Sequence, residues 1–142
     1  MSVDAGFSIL LVSGGGPKAV LDALMKSTWQ GHQEGWWCVP LNEDPSEWIL
    51  LERKNAAEVV ALFQAKMSAE QVFGLRLWWE GGEVGGEFLV FPNCEVTFSP
   101  TINRVTIGDR TTDVSWYLSR LLPLFREAHG IAIESWAWRE TG

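Results

Sequence analysis

The sequence predicts an α+β fold: a mostly antiparallel sheet of about six to eight strands, with three main helices packed on it. Three observations carry this. Residues 73–99 read as three consecutive strands, a meander, because apolar side chains recur there with a period of two. Three other segments carry apolar stripes with a helical period. The chain has 142 residues, 46% of them apolar, and no low-complexity linker, which suits one domain over residues 1–142 with its own core.

Taken in order, residues 7–13 are apolar on both faces from Ile9 on, as in a central strand. Gly14-Gly15-Gly16 follows, and Pro17 suits the first position of a helix whose stripe is Val20, Leu21, Leu24 and Met25. Residues 36–39 and 48–52 form a hairpin across the acidic turn at 42–46. Asn55 caps a second helix, with Glu58 completing a capping-box variant and Val59, Val60, Leu62, Phe63 and Met67 facing the core. The first strand of the meander puts Phe73, Leu75, Leu77 and Trp79 on one face and Arg76, Trp78 and Glu80 on the other. Gly81-Gly82 and Gly85-Gly86 supply the positive φ of its first hairpin turn. Residues 102–107 read as a further strand, ended by a turn at Gly108-Asp109. Asp113 or Thr112 caps the third helix, which Pro123 kinks or splits. The last strand covers 131–139, with Ile131, Ile133, Ser135 and Ala137 on one face and Glu134, Trp136 and Trp138 on the other. The first six elements follow the βαββαβ order of a ferredoxin-like unit.

The net charge is -7, and residues 30–100 hold eleven acidic against four basic side chains, which accounts for the whole excess. Such a balance argues against general nucleic-acid binding and against docking on anionic lipid. The longest apolar run near the start is short and no basic stretch precedes it, so neither a membrane span nor a secretory leader is expected. The expected location is the cytoplasm, with Cys38 and Cys94 as free thiols.

No stretch is a strong catalytic signature. Gly14, Gly15, Gly16 and Lys18 sit between a strand and a helix, where backbone amides can hold an anion; the alternative is a plain flexible connection. The spacing is neither that of a Walker loop nor a full G-x-G-x-x-G. His32 and His129 lack partners at metal-ligand spacing, so no metal and no cofactor are expected. Glu80, Glu83 and Glu87 converge near one hairpin, either as a carboxylate cluster or as a solvated tip. The nine tryptophans are the other anomaly. Trp36-Trp37 and Trp78-Trp79 must point to opposite sides of their strands, so one of each pair leaves the helix-covered face. The outward set forms either a second small core under a curled sheet or a surface aromatic patch, with sugar stacking a third option.

A small, acidic, tryptophan-rich α+β domain without catalytic motifs resembles, in overall profile, the immunity proteins of bacterial polymorphic toxin systems, including contact-dependent inhibition and type VI secretion. The resemblance implies a non-catalytic, monomeric or homodimeric protein that binds and neutralises a cognate basic toxin domain. The expected contact residues are Glu80, Glu83, Glu87 and Trp78, then Glu43 and Asp44, then Trp136 and Trp138. Two alternatives stand beside it: a small ligand-binding protein or enzyme using the turn from Gly14 to Lys18, and a structural subunit or adaptor with a tryptophan-rich homodimer interface.

Overall fold

The computed structural model describes residues 4–108 and 110–141. In chain order the elements are β1 (Asp4–Ser13), α1 (Gly16–Met25), β2 (Trp29–Gln30), β3 (Gly35–Cys38), β4 (Ile49–Glu52), α2 (Ala56–Ser68), β5 (Phe73–Trp79), β6 (Gly85–Val90), β7 (Glu95–Ile102), β8 (Thr106–Ile107), β9 (Thr111–Thr112), α3 (Val114–Arg126) and β10 (Ile131–Thr141). The fold is α+β. Eight strands form one sheet in the order β10-β1-β7-β6-β5-β3-β4, with β2 also pairing to β5. Every pairing is antiparallel. The strands β8 and β9 make a separate two-stranded hairpin.

The helices lie on one face because each carries one apolar stripe that only the inward side chains of the sheet can cover. Those side chains are Phe7, Ile9 and Leu11 of β1, Val96 and Phe98 of β7, Phe88 and Val90 of β6, and Phe73, Leu75 and Leu77 of β5, all buried. Phe63 of α2 meets Phe73 edge-on at 5.2 Å, and Tyr117 of α3 lies 5.7 Å from Phe98. Val20, Leu21 and Leu24 of α1 complete the same cluster. Phe98 is its centre, with Phe88 at 4.7 Å and Trp29 at 5.2 Å.

The meander stands as expected, with Leu75 opposite Phe88 and Phe88 opposite Phe98. Its glycines divide the work differently. Glu80 and Gly81 take the positive φ of the turn, whereas Gly85 and Gly86 lie buried inside β6. A Cβ on Gly86 would sit 2.6 Å from the Phe98 ring and 2.3 Å from the Ser99 carbonyl, so this glycine lets the central ring approach the backbone.

Four expectations are corrected. The ferredoxin-like order is not met. The short β2 enters between α1 and β3, and β1 pairs with β7 and β10 rather than with a strand linked to it through a helix. In such a unit the first strand lies beside strands of its own βαββαβ run, whereas here β1 lies between β7 and β10, both outside that run. The strand expected at 102–107 breaks at Asn103, which takes φ 48° while its side-chain Nδ2 donates to the Glu83 carbonyl. The amide of Val105 then leaves the ladder to donate to the Tyr117 hydroxyl at 3.0 Å. The turn expected at Gly108-Asp109 falls partly outside the described residues, since Asp109 is not among them. Asn55 occupies the N-cap position of α2 without a side-chain cap bond, whereas Asp113 does cap α3, accepting from the Trp116 amide at 3.0 Å. The helix α3 runs through Pro123 and is not split.

The fourth correction decides where two tryptophans point. Leu10 pairs with Ser135 but Leu11 pairs with Ile133, so Glu134 is an extra residue, a β-bulge. One inserted residue inverts the alternation beyond it. Trp136 therefore stands opposite Ile9 and Trp138 opposite Phe7, on the helix-covered face together with Ile131 and Ile133. The Trp138 ring packs 4.4 Å from Phe7. Trp136 lies on the edge strand and keeps 43% of its surface exposed.

Candidate functional site

The sheet face opposite the helices is divided in composition. Over β1 and β7 it shows Ser8, Thr97 and Ser99; over β3 to β6 it shows Trp37, Arg76, Trp78, Glu87 and Leu89, all half-buried. The period of two assigns these side chains to the outer face, because their neighbours Trp36, Leu75, Leu77, Phe88 and Val90 face the core. Trp37 and Trp78 are thus the outward members of their pairs, and Trp36 and Trp79 the inward ones.

Arg76 organises the strip. Its Nε donates to Glu87 Oε2 at 3.2 Å, across the β5–β6 pair where the two residues stand opposite. Its guanidinium lies 4.3 Å from the centre of the Trp48 ring and 5.7 Å from that of Trp37. Trp48 reaches this place from the connection between β3 and β4, with its indole N–H donating to the Pro45 carbonyl at 2.9 Å. Its seat is Gly74: a Cβ there would stand 3.0 Å from the Trp48 ring and 2.7 Å from Val39. At the other end of β5, the His32 ring lies 5.1 Å from Trp78, and His32 Nδ1 accepts from the Glu34 amide.

Carboxylates border both ends of this strip. Glu80 and Glu83 are exposed on the turn after β5. There the Glu80 amide donates to the Thr28 carbonyl at 2.9 Å and fixes the turn against the end of α1. Glu43 and Asp44 are exposed on the connection between β3 and β4, near the start of β5. That connection is well tied. Asn42 and Gln71 exchange hydrogen bonds at 2.9 and 2.8 Å, and Lys66 Nζ donates to the Glu43 carbonyl at 3.0 Å. Asp44 accepts from both the hydroxyl and the amide of Ser46, which hold its carboxyl below the usual carboxylate range. Lys66 is fully buried, and burial pulls its ammonium below the ordinary lysine value while Glu43 opposes the shift. Seven residues of β5 span roughly 20 Å, which is the length of the strip between its two acidic ends.

The structure therefore joins Trp78 and Glu87 in one strip, with Glu80 and Glu83 at one end and Glu43 and Asp44 at the other. Glu87 is not a free carboxylate, since Arg76 occupies it. Trp136 and Trp138 lie apart, on the opposite face and at the far edge. Trp37, Trp48, Arg76 and His32 also belong to the strip, though none was expected as a contact residue. Parity along the strands pointed to Trp37 and Arg76; nothing local pointed to Trp48, whose position depends on the bare backbone of Gly74. The edge of the sheet next to the strip is β4, which among the described residues pairs with β3 alone and leaves Ile49 and Leu50 each 39% exposed.

In the turn after β1, the Gly14 amide donates to the Gly130 carbonyl at 3.1 Å, Ser13 Oγ donates to the Gly16 carbonyl, and Lys18 pairs with Asp22 at 2.8 Å. The Gly14 amide, the Gly16 carbonyl and the Lys18 ammonium are thus engaged within the protein. Both cysteines are buried, and burial pushes their thiols up, that of Cys38 to about 12. Among the described residues no three of His, Cys, Asp and Glu converge as metal ligands, and no helix is long and apolar enough to cross a membrane. Comparison of the chain with protein-family models, with curated proteins and with solved structures finds no match.

Proposed function

We propose that this chain is a protein-binding domain that docks a basic partner on the helix-free face of β3 to β5, and that it acts as an immunity protein neutralising a toxin domain. The observation that carries the binding reading is the strip itself: three half-buried tryptophans, Trp37, Trp48 and Trp78, on an uncovered sheet face with free carboxylates at both ends. Aromatic anchors on a rigid sheet lose little entropy when covered, and carboxylates steer a basic partner during encounter. The tied acidic connection adds preorganisation, since Glu43 and Asp44 are already held in place. The narrower role rests on the resemblance in size, charge and aromatic content to immunity proteins.

The test uses the partner recovered from the cells that make this protein. Glu83→Lys and Asp44→Lys should each slow association and weaken its dependence on salt. Trp78→Ala should speed dissociation, at a cost of about 2 kcal/mol or more in affinity, with the unfolding midpoint preserved. Expression of the partner alone should be toxic, and co-expression of this chain should relieve it. An acidic partner, or one that binds all three variants as tightly as the wild type, overturns the surface. Persistent toxicity on co-expression overturns the immunity role.

A further inference from the structure

The helix side of the molecule holds a second feature that the protein-binding reading does not use. Between α1 and α3 lies a cleft of about 520 Å³, within the range of small-molecule sites. Its walls are short or apolar side chains, Ala19 and Ala23 from α1 and Pro123 and Leu124 from α3, and its floor is formed by Trp29 and Trp79. The two indoles meet edge to face at 5.4 Å, and Trp29 is locked by its N–H, which donates to the Arg120 carbonyl at 3.2 Å. Ser27, Thr28 and Ser119 add hydroxyls at the rim.

Arg120 is the unusual member of this lining. Three arginines of the described chain are half-buried: Arg76, Arg104 and Arg120. The first two have carboxylates, Glu87 at 3.2 Å and Glu140 at 3.3 Å. Among the described residues no carboxylate pairs with Arg120. Its guanidinium is held over Trp116 at 4.0 Å and beside Trp79 at 5.2 Å, and its Nη1 donates to the Trp116 carbonyl and to Ser119 Oγ. Its Nε is buried and makes no hydrogen bond. Cation–π contacts offset part of the desolvation of such a cation but leave donors unmatched. Four of the remaining charges sort out as follows: Asp22 is already neutralised by Lys18, Lys26 is a second cation at the rim, and Glu127 is a single carboxylate there. The cleft thus has room for one added negative charge, not two.

We propose that this cleft binds a small organic monoanion, an aromatic carboxylate, with its carboxylate on Arg120 and Lys26 and its ring against Trp79, beside the buried Trp29, between the two alanines and Leu124. A guanidinium with unmatched donors suits a carboxylate, its rotamer is already fixed by the two indoles, and the alanines of α1 leave room for a flat ring against Pro123 and Leu124 of α3.

Titration of the whole protein with 2-naphthoate, followed by the indole N–H signals in nitrogen-15 NMR, tests this. The expected result is a saturable shift of the Trp29 signal with a Kd of about 1 mM or tighter, the scale for a ligand of that size. The neutral amide 2-naphthamide should bind at least about tenfold more weakly, and inorganic phosphate should leave the signal in place. Arg120→Gln should weaken naphthoate about tenfold or more. Because that change also removes the stacking on Trp79 and Trp116, Ala23→Phe provides the second variant: it fills the cleft from α1, leaves Arg120 untouched, and should abolish the shift. No saturable shift in the wild type, equal binding of the amide, or undiminished binding by Ala23→Phe overturns the site. Phosphate binding as tightly as naphthoate overturns the aromatic class of the ligand.

Discussion

The thiol of Cys38 provides a pH-dependent stability that can be worked out in advance. Cys38 is fully buried on the inner face of β3, opposite Leu75 of β5. Burial in this apolar setting disfavours the thiolate and pushes the thiol from 9.0 up to about 12. A group whose folded value is raised stays protonated in the native state while the unfolded chain already ionises. Its stabilising contribution is therefore complete below 9.0 and is lost as pH rises from there toward 12. At about pH 10 the unfolded thiol is mostly ionised and the native one is not, which removes about 1.4 kcal/mol of stability. Lys66, whose value is lowered by burial, changes stability in the opposite direction as pH rises toward the ordinary lysine value, so the bare profile of the wild type does not isolate the thiol. The comparison with Cys38→Ala does. Urea unfolding at about pH 7 should show the variant less stable by about 1–2 kcal/mol from its cavity, and at about pH 10 that gap should shrink by about 1.4 kcal/mol. A gap that stays constant between the two conditions would refute the reasoning. So would rapid native-state labelling of Cys38 by a thiol reagent, since a buried thiol reacts only after local opening.

The other expectations follow from packing and capping. Trp138→Ala should cost about 2 kcal/mol or more, because its ring lies on Phe7, whereas Trp136→Ala should cost under about 1 kcal/mol; the reverse order in chemical denaturation contradicts the bulge at Glu134. Gly74→Ala should cost about 1–3 kcal/mol and dislodge Trp48 from Arg76, read as a loss of near-ultraviolet circular dichroism. A fully stable variant with an unchanged spectrum shows that Trp48 sits elsewhere. Asp113→Ala should cost about 1 kcal/mol through loss of the α3 cap, and Asn55→Ala in α2 much less, since the Asn55 side chain makes no cap bond; thermal melts that rank the two the other way refute this reading of the caps.

The amino-acid sequence by itself determined the elements whose pattern is local and strong. The three helices show a 3.6-residue stripe, and residues 73–99 alternate with a period of two, so the core faces of β5, β6 and β7 could be read without any partner. The splitting of Trp36-Trp37 and Trp78-Trp79 across the sheet was determined in the same way, because adjacent residues of a strand cannot share a face. Only the tertiary structure decided which strands are neighbours. The place of β1 between β7 and β10 depends on Phe7 meeting Phe98 and Trp138, contacts between residues far apart in the chain. Residues 131–138 alternate well enough to be read as one regular strand, and the bulge that inverts them arises from register against β1, not from any residue within β10. Trp48 is placed by a missing Cβ on a different strand, and Arg120 is set apart because no carboxylate pairs with it among the described residues, and neither fact is written in the neighbouring sequence. Local periodicity records how a segment divides inside from outside; the partners of each face are set only when long-range packing brings the segments together.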